Sequence, residues 1–159
     1  MSVRNRTTIR PFTIHDIATL VDMTEREVPK IRAHRGVAID RERVRQVLLD
    51  ALDAPDRFCV FVLVNEEGNV IGGIAGYITV HLLNWDKVAG DIFMFVDPEW
   101  RTLRNAVRLV TAYKDWAVSN GAKAVDAFLT NEDNVGPFSE MLRRYAGFDR
   151  IGIFHRCVV

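Results

Sequence analysis

The chain has 159 residues, 48% of them hydrophobic, which is enough for one globular domain with a continuous core. Lys and Arg total 21, as do Asp and Glu, so the balanced charge argues against general binding of nucleic acid or an anionic membrane. The polar start and the lack of a long apolar run predict neither a signal peptide nor a membrane span, and we expect a cytoplasmic protein. Cys59 and Cys157 lie in apolar stretches, as is typical of buried free thiols in a reducing compartment.

The first third of the chain predicts one short strand and two helices. Residues 7–10 are β-prone and end at a proline. Thr13 is placed to cap a first helix, and the apolar residues from about 40 to 52 repeat with the spacing of a second helix. A proline and a glycine bracket the loop at residues 29–36 between them.

The middle of the chain predicts a pair of strands. Residues 58–64 form an unbroken apolar run, which is typical of a strand buried on both faces. Residues 70–80 return as its partner after a hairpin turn. Gly72, Gly73 and Gly76 interrupt this partner strand, and such repeated use of glycine indicates a bend or a close approach of the backbone. A loop is predicted over residues 81–88.

Residues 91–120 form the stretch around which we expect the chain to be organised. An apolar strand beginning at Asp91 turns at Asp97-Pro98 and continues as a long helix, which Gly121 ends. The helix has one apolar stripe that predicts a face packed on a sheet: Leu103, Val107, Val110, Tyr113 and Ala117.

Three arginines share another edge of this helix near its N-terminus: Arg101, Arg104 and Arg108. That end carries free backbone N–H groups and the positive pole of the helix dipole. A strand leading into such a helix predicts a binding site for a phosphate group. A solvated arginine face on an ordinary amphipathic helix is the alternative interpretation.

The last part of the chain predicts a strand, a helix and a terminal strand. The first strand covers residues 123–129, the helix residues 137–145, and the terminal strand residues 151–158. The complete order is β-α-α-β-β-β-α-β-α-β. Since there is no internal repeat and no linker, we predict a single domain over residues 1–159.

One segment, V-D-P-E-W-R-T-L-R-N-A-V-R-L, resembles the acetyl-CoA-binding segment of the GNAT family of N-acetyltransferases, V-x-P-x-x-R-x-x-G-x-[GA]-x-x-L. The matching positions are Val96, Pro98, Arg101, Ala106 and Leu109. Arg104 stands where the family usually has glycine, and Thr102 where a further glycine is common. A later segment resembles the family's N-x-x-A…Y-x-x-x-G-F, with Asn134 as the asparagine and Gly147-Phe148 as the ending. The resemblance implies an α/β (α+β) fold with a mixed central sheet of about six to seven strands and about four flanking helices.

The resemblance also implies that acetyl-CoA lies between two splayed central strands. Backbone groups of Met94, Phe95 and Val96 would hold its pantetheine arm, and a strand N–H would polarise the acyl carbonyl. The pyrophosphate would bind the start of the helix. The remaining residues implied for this site are Arg101, Thr102, Leu103, Arg104, Asn105, Ala106, Arg108, Asn134 and Phe138.

Asp91 and Tyr145 are the candidate catalytic residues. Acetylation requires a neutral amine, so Asp91, or a water that it activates, would remove a proton. The family's usual glutamate falls one residue earlier, at Gly90, and a strand-end turn residue is the alternative for Asp91. Many members place the tyrosine that protonates the departing thiolate where this chain has Arg143, two residues before Tyr145. A packing role for Tyr145, and Ser139 acting through water, stay open.

The resemblance implies direct transfer of an acetyl group from acetyl-CoA to a primary amine of a small molecule or peptide. His34, His81 and Trp85 lie in predicted loops that would line the acceptor pocket, and plain surface positions are the alternative. No histidine spacing predicts a metal site. A second hypothesis is a coenzyme A-binding or protein-binding module without catalysis. The apolar C-terminal end is compatible with a homodimer.

Overall fold

The computed structural model describes residues 6–31, 36, 38–128 and 135–150. In this part of the chain, five strands form one sheet in the order β1-β2-β3-β4-β5. The strands are β1 (Thr7–Pro11), β2 (Phe58–Asn65), β3 (Val70–Val80), β4 (Lys87–Val96) and β5 (Ala122–Val125). The first four are antiparallel neighbours, whereas β5 runs parallel to β4.

Four α-helices cover the two faces of the sheet: α1 (Ile17–Glu27), α2 (Arg41–Asp53), α3 (Leu103–Ser119) and α4 (Val135–Met141). Leu20 of α1 and Leu48 of α2 form one hydrophobic core with Val62 of β2. Leu109 and Tyr113 of α3 form the other core, together with α4 residues. The architecture confirms the predicted mixed α/β class with about four helices. None of these helices is both long and apolar enough to cross a membrane.

The second strand confirms its prediction from the apolar run. Val60, Val62 and Val64 belong to the core under α1 and α2, whereas Cys59 and Leu63 belong to the core under α3. Because successive side chains point to opposite faces, a strand between two helical layers needs apolar residues at nearly every position.

The glycines of β3 are required by close approach, as the sequence indicated. A Cβ at Gly76 would lie 2.4 Å from Cε2 of Tyr113, and one at Gly72 would lie 2.7 Å from the carbonyl oxygen of Phe95. The fully buried ring of Tyr113 therefore rests directly on the backbone of β3.

Several sequence predictions differ from the structure in their bounds or in the number of strands. The central strand begins at Lys87 rather than Asp91, because residues 87–90 extend the hairpin with β3, and the loop before it is correspondingly shorter. The sheet has five described strands rather than six to seven, and the strand predicted at 151–158 lies outside the described residues. The fifth strand ends at Val125, and the last helix begins at Val135 and ends in a π-helical turn, Leu142–Ala146.

Leu103 does not face the sheet as predicted. Its side chain is 53% exposed, because it is the first residue of α3 and precedes the part of the helix that packs on the strands. Val110, Tyr113 and Ala117 are buried as expected. Gly147 ends the last helix in the left-handed conformation, with φ at 72°, which confirms its capping role.

We predict that Gly76→Ala lowers the free energy of unfolding by about 1–3 kcal/mol, because the added methyl group overlaps the Tyr113 ring. Urea denaturation followed by circular dichroism measures the change. Gly136→Ala in α4 is the matched control, since a Cβ at Gly136 meets nothing within 4 Å. Equal stability of the two variants would contradict the close approach.

Candidate functional site

Strands β4 and β5 lie side by side only over the first residues of β4. Ala89 of β4 pairs with Val125 at the end of β5, and the carbonyl of Ala89 accepts a hydrogen bond from the N–H of Asp126 at 2.8 Å. From residue 91 to residue 96, no strand of the described part of the chain pairs with this side of β4. We call this opening, between residues 91–96 and the chain that follows Val125, the fork.

A β-bulge marks the start of the fork. Phe93 pairs with Ala75 of β3, but the next pair along is Asp91 with Gly76, so Ile92 is an extra residue in β4. A bulge bends its strand, increases the local twist and changes the direction of the backbone groups around it. The bulge lies just beyond Ala89, the last residue of β4 that pairs with β5 in the described sheet.

The backbone of β4 beyond the bulge presents hydrogen-bonding groups to the fork. The N–H of Asp97 donates to the carbonyl of Ile71 in β3 at 2.8 Å, so the backbone groups of Asp97 point towards β3. Since the backbone groups of strand residues alternate in direction, those of Phe95 also point towards β3, whereas those of Met94 and Val96 point into the fork. The carbonyl of Val96 confirms this direction, because it accepts a bond of 2.7 Å from Nε of Arg101.

Side chains on β4 beyond the bulge are used in packing. The rings of Phe93 and Phe95 stack with their centroids 4.8 Å apart, and Phe93 packs on the core beneath α1 and α2. Met94 and Val96 pack against the core beneath α3. What the fork offers to a ligand is therefore mainly backbone.

The start of α3 leaves fewer backbone amides without an acceptor than the sequence suggested. A 3-10 turn, Pro98–Trp100, leads to Thr102, whose Oγ1 accepts from the N–H of Asn105 at 3.2 Å. The amides of Arg101, Thr102 and Ala106 donate to backbone carbonyls of the preceding turn. In the described part of the chain, only the amides of Leu103 and Arg104 within residues 101–106 have no protein acceptor.

The three arginines do not converge on one point. Nη2 of Arg101 lies 3.5 Å from Oε2 of the buried Glu27, and Nη1 of Arg108 donates to Oγ1 of Thr7 on the far edge of the sheet at 2.8 Å. Arg104 is exposed and forms no ion pair with any described residue. Long-range partners therefore engage two of the three side chains, and a joint role of the three arginines in binding a phosphate stays a prediction.

The side chain of Asn105 stabilises the turn before α3 through two hydrogen bonds. It is buried, its Nδ2 donates to the carbonyl of Trp100 at 2.9 Å, and its Oδ1 accepts from Oγ1 of Thr7 at the same distance. Thr7 in turn receives the bond from Arg108, so these residues fix the start of α3 against β1. Together they set the shape of the site without pointing into the fork.

Asp91 lies at the point where the fork opens. Its Oδ1 accepts a bond of 2.7 Å from the backbone N–H of Phe128, which joins β4 to the segment that leaves β5. Burial raises the pKa of Asp91 to about 6, against the opposing effect of the Phe128 N–H; the charge of Asp126 raises it further. Phe128 and Asp126 were not foreseen, because nothing in their own sequence distinguishes them.

Tyr145 lies at the surface of the π-helical turn, with its side chain 56% exposed. The turn is attached to α3 by a bond of 2.7 Å from Nζ of Lys114 to the carbonyl of Ala146. No hydrogen bond in the described part of the chain joins Tyr145 to Asp91.

Ser139 and Phe138 on α4 are half-buried, and Phe138 packs against the core under α3. The side chain of Arg143 pairs with Glu140 at 2.9 Å.

The predicted acceptor residues lie at the tip of the turn between β3 and β4. Nδ1 of His81 accepts from the N–H of Leu83 at 3.3 Å, and the side chain of Trp85 is 93% exposed. Asn134 and His34 lie outside the described residues. The described histidines, cysteines and acids include no group of three placed to hold a metal ion.

Two shallow cavities lie along the opposite edge of the sheet, where Arg10 of β1 borders both. One, of about 360 Å³, is lined by residues of β1, β2 and α3, and the other, of about 500 Å³, lies beside the start of β3. Neither of them borders the fork. We therefore locate the candidate site from the unpaired strand edge and the start of α3 rather than from cavity size.

The structure has a mixed sheet with a fork between β4 and β5. Comparisons with known proteins show which family has this arrangement. A model of the acetyltransferase (GNAT) family matches residues 20–138, and the chain therefore belongs to this family. This confirms the predicted family and the acetyltransferase class. A search of curated proteins found no match.

Solved structures share the fold at low sequence identity. Glucosamine-6-phosphate N-acetyltransferase from Arabidopsis thaliana has a TM-score of 0.74 at 15% identity, over 96% of this chain and 98% of that one. A Trypanosoma brucei acetyltransferase has a TM-score of 0.72 at 15% identity, over 97% and 100%. An aminoglycoside acetyltransferase from an uncultured soil metagenomic sample, in complex with sisomicin, has a TM-score of 0.68 at 17% identity, over 96% and 97%.

We predict that Asp91→Asn stabilises the protein at pH 8 by up to about 3 kcal/mol and has little effect at pH 4. A folded-state pKa of about 6, above the ordinary carboxyl value, means that ionised Asp91 lowers stability as the pH rises through 6. Asparagine removes the charge and keeps an oxygen for the Phe128 N–H. Urea unfolding at both pH values measures the effect, and an equal change at both would contradict the cause assigned to the pKa.

Proposed function

We propose that this chain transfers an acetyl group from acetyl-CoA directly to a primary amine. The observation that carries this proposal is the unpaired edge of β4, which points into the fork and leads to the start of α3. An extended amide-containing arm matches such a strand edge, since it offers N–H and C=O groups to complete the pairing. The phosphates at the other end of the same molecule match free amides at a helix start.

In the proposed donor site, backbone groups of Met94 and Val96 bind the pantetheine arm. The pyrophosphate binds the amides of Leu103 and Arg104 and the guanidinium of Arg104. Phe95, Arg101, Thr102, Asn105, Ala106 and Arg108 are proposed to shape this site, through their bonds to β3, to the turn and to β1. Asn134 and Phe138 remain proposed contacts on the α4 side.

The proposed chemistry uses Asp91 as the base. Because its pKa is about 6, the carboxylate is mostly ionised at neutral pH and still basic enough to accept a proton from the acceptor amine or through a water. A backbone N–H of the bulged segment is proposed to stabilise the negative charge that develops on the acyl oxygen. Tyr145 is proposed to protonate the departing thiolate, with Ser139 as the other candidate.

Direct transfer is favoured over an acyl intermediate on Cys59, the cysteine within the described residues. Cys59 is a buried free cysteine, and burial raises the pKa of its thiol to about 12. A thiol with this pKa holds too little thiolate at neutral pH to act as a nucleophile. We therefore propose that the amine itself attacks the thioester.

Amino sugars are the first acceptors to test. Two proteins with this fold are described as acting on amine-bearing sugars, one on glucosamine-6-phosphate and one on aminoglycosides. We propose a panel of amino sugars, aminoglycosides, polyamines and peptides, with thiol release from acetyl-CoA as the readout. Release that depends on the added amine would support the proposal, whereas none with any amine would contradict it. Cytoplasmic action and a homodimer stay predictions.

A second candidate is a coenzyme A-binding module without catalysis. The observation in its favour is that Tyr145 is exposed and shares no described bond with Asp91. Coenzyme binding without turnover across the whole panel would favour this candidate over the enzyme.

We predict that Arg104→Glu weakens binding of acetyl-CoA at least tenfold, because the new carboxylate repels the pyrophosphate beside the free amides. Isothermal calorimetry measures the dissociation constant. Arg43→Glu, an exposed position near the start of α2, is the matched control and should bind as the unmodified protein does. Equal affinities of the two variants would remove Arg104 from the donor site.

We predict that turnover rises with pH through about 6, as Asp91 loses its proton and becomes a base. In Asp91→Asn, the rate at pH 8 should fall at least a hundredfold, consistent with the loss of a general base. A pH profile of kcat/KM for both proteins provides the test. A profile unaltered by the substitution would assign the proton transfer to another group.

A further inference from the structure

A cluster of charged side chains joins the end of α1 to the turn between β4 and α3. Oε1 of Glu27 accepts from Nε of Arg26 at 2.9 Å and from Nζ of Lys30 at 3.0 Å. Nη2 of Arg101 lies 3.5 Å from Oε2 of the same carboxylate. Nη2 of Arg26 also pairs with Oδ1 of Asp97 at 2.6 Å. We call these five residues the Glu27 network.

Glu27 is the buried centre of this network. Its side chain is only 9% exposed, whereas those of Arg26, Lys30 and Arg101 are all about half exposed or more. Burial raises the pKa of Glu27, but the hydrogen bonds and charges of Arg26 and Lys30 outweigh burial and hold the pKa below its ordinary value. The carboxylate therefore stays charged at neutral pH, and its neutral replacement would leave the surrounding cations without their shared partner.

The network contacts both ends of the turn that connects the two halves of the proposed donor site. Asp97 directly follows the unpaired edge of β4, and Arg101 directly precedes Thr102, the cap of α3. Arg101 also bonds the carbonyl of Val96. The position of the free amides at the start of α3, relative to the edge of β4, is thus tied to α1 through Glu27.

We infer that Glu27 is a positioning residue for the acyl donor, which it affects through Arg101 and Asp97 rather than by contact. This inference rests on the proposed function, because it concerns the affinity of the same site for coenzyme A. A ligand that bridges a strand edge and a helix start needs both at a fixed separation, and binding energy is lost when that separation varies. In this proposal Arg101 holds the turn between β4 and α3 in place, through Glu27 and the carbonyl of Val96.

The test compares Glu27→Gln with the unmodified protein by calorimetric titration with coenzyme A and by steady-state kinetics. We expect coenzyme A to bind about tenfold more weakly and KM for acetyl-CoA to rise in parallel, with kcat at saturating donor unchanged within about twofold. Glu25→Gln is the matched control on the same helix. Glu25 is half exposed and pairs with Arg41, away from the turn. The affinity of the Glu25→Gln variant for coenzyme A should therefore equal that of the unmodified protein.

A double-mutant cycle separates positioning from a general loss of stability. If Glu27 acts in part through Arg101, the loss of coenzyme A affinity in Glu27→Gln/Arg101→Gln should be smaller than the sum of the two single losses. Asp97→Asn provides a milder change at the partly exposed end of the network and should weaken binding about threefold. If Glu27→Gln does not fold, the affinity of Asp97→Asn for coenzyme A tests the inference in its place.

The outcomes are distinct. A folded Glu27→Gln with unchanged affinity for coenzyme A overturns the inference, even if its melting temperature is lower. Fully additive losses in the double-mutant cycle also overturn it. If Glu27→Gln does not fold, unchanged affinity in Asp97→Asn overturns it instead. Failure of the unmodified protein to bind coenzyme A would instead contradict the proposed function.

Discussion

The separation of β4 from β5 is the constraint on which the rest of this structure depends. Backbone N–H and C=O groups in the interior of a sheet are normally paired, and leaving them open costs free energy. Here the opening follows Ala89, at a bulge, in the strand that lies between the two cores. A ligand that completed the strand edge would recover that free energy, and this is the physical basis of the proposed donor site.

Several contacts hold the fork open at a defined place. Asp91 accepts from the N–H of Phe128, and the hydroxyl of Tyr113 donates to the carbonyl of Asp126 at 2.9 Å, so the chain after β5 is attached to both β4 and α3. Tyr113 reaches this point because Gly76 allows its ring to lie against β3. On the other side of the fork, Arg101 and Glu27 fix the turn into α3. These contacts attach both sides of the fork to the packed elements around it.

The sequence predicted the parts of the fold that depend on local pattern. The apolar run of β2, the glycines of β3 and the helix after Pro98 were all recognisable, because burial on two faces, close approach and helical spacing each leave a local pattern. The bulge at Ile92 was not, since it is defined only by the register with β3. Leu103 was assigned to the wrong face because the stripe begins before the helix reaches the sheet.

The elements that define the candidate site were predictable from the sequence, whereas the partners of its side chains were not. The turn after β4 and the arginines beyond it indicated an anion site from spacing alone. Arg101 and Arg108 are engaged by Glu27 and Thr7, which are far away in the sequence, and no local pattern reveals such partners. Likewise, the raised pKa of Asp91 depends on burial and on Phe128, which only the folded chain brings together.

The most direct test of the central claim is an amide NMR titration of the ¹⁵N-labelled protein with coenzyme A. We expect the largest shifts on the N–H groups that face the fork and have no acceptor among the residues that the structure describes: Met94, Val96, Leu103 and Arg104. The amides of Asn105 and Ala106, already bonded to Thr102, serve as internal references and should shift less. Largest shifts along the β1 edge, or none at millimolar coenzyme A, would contradict the account.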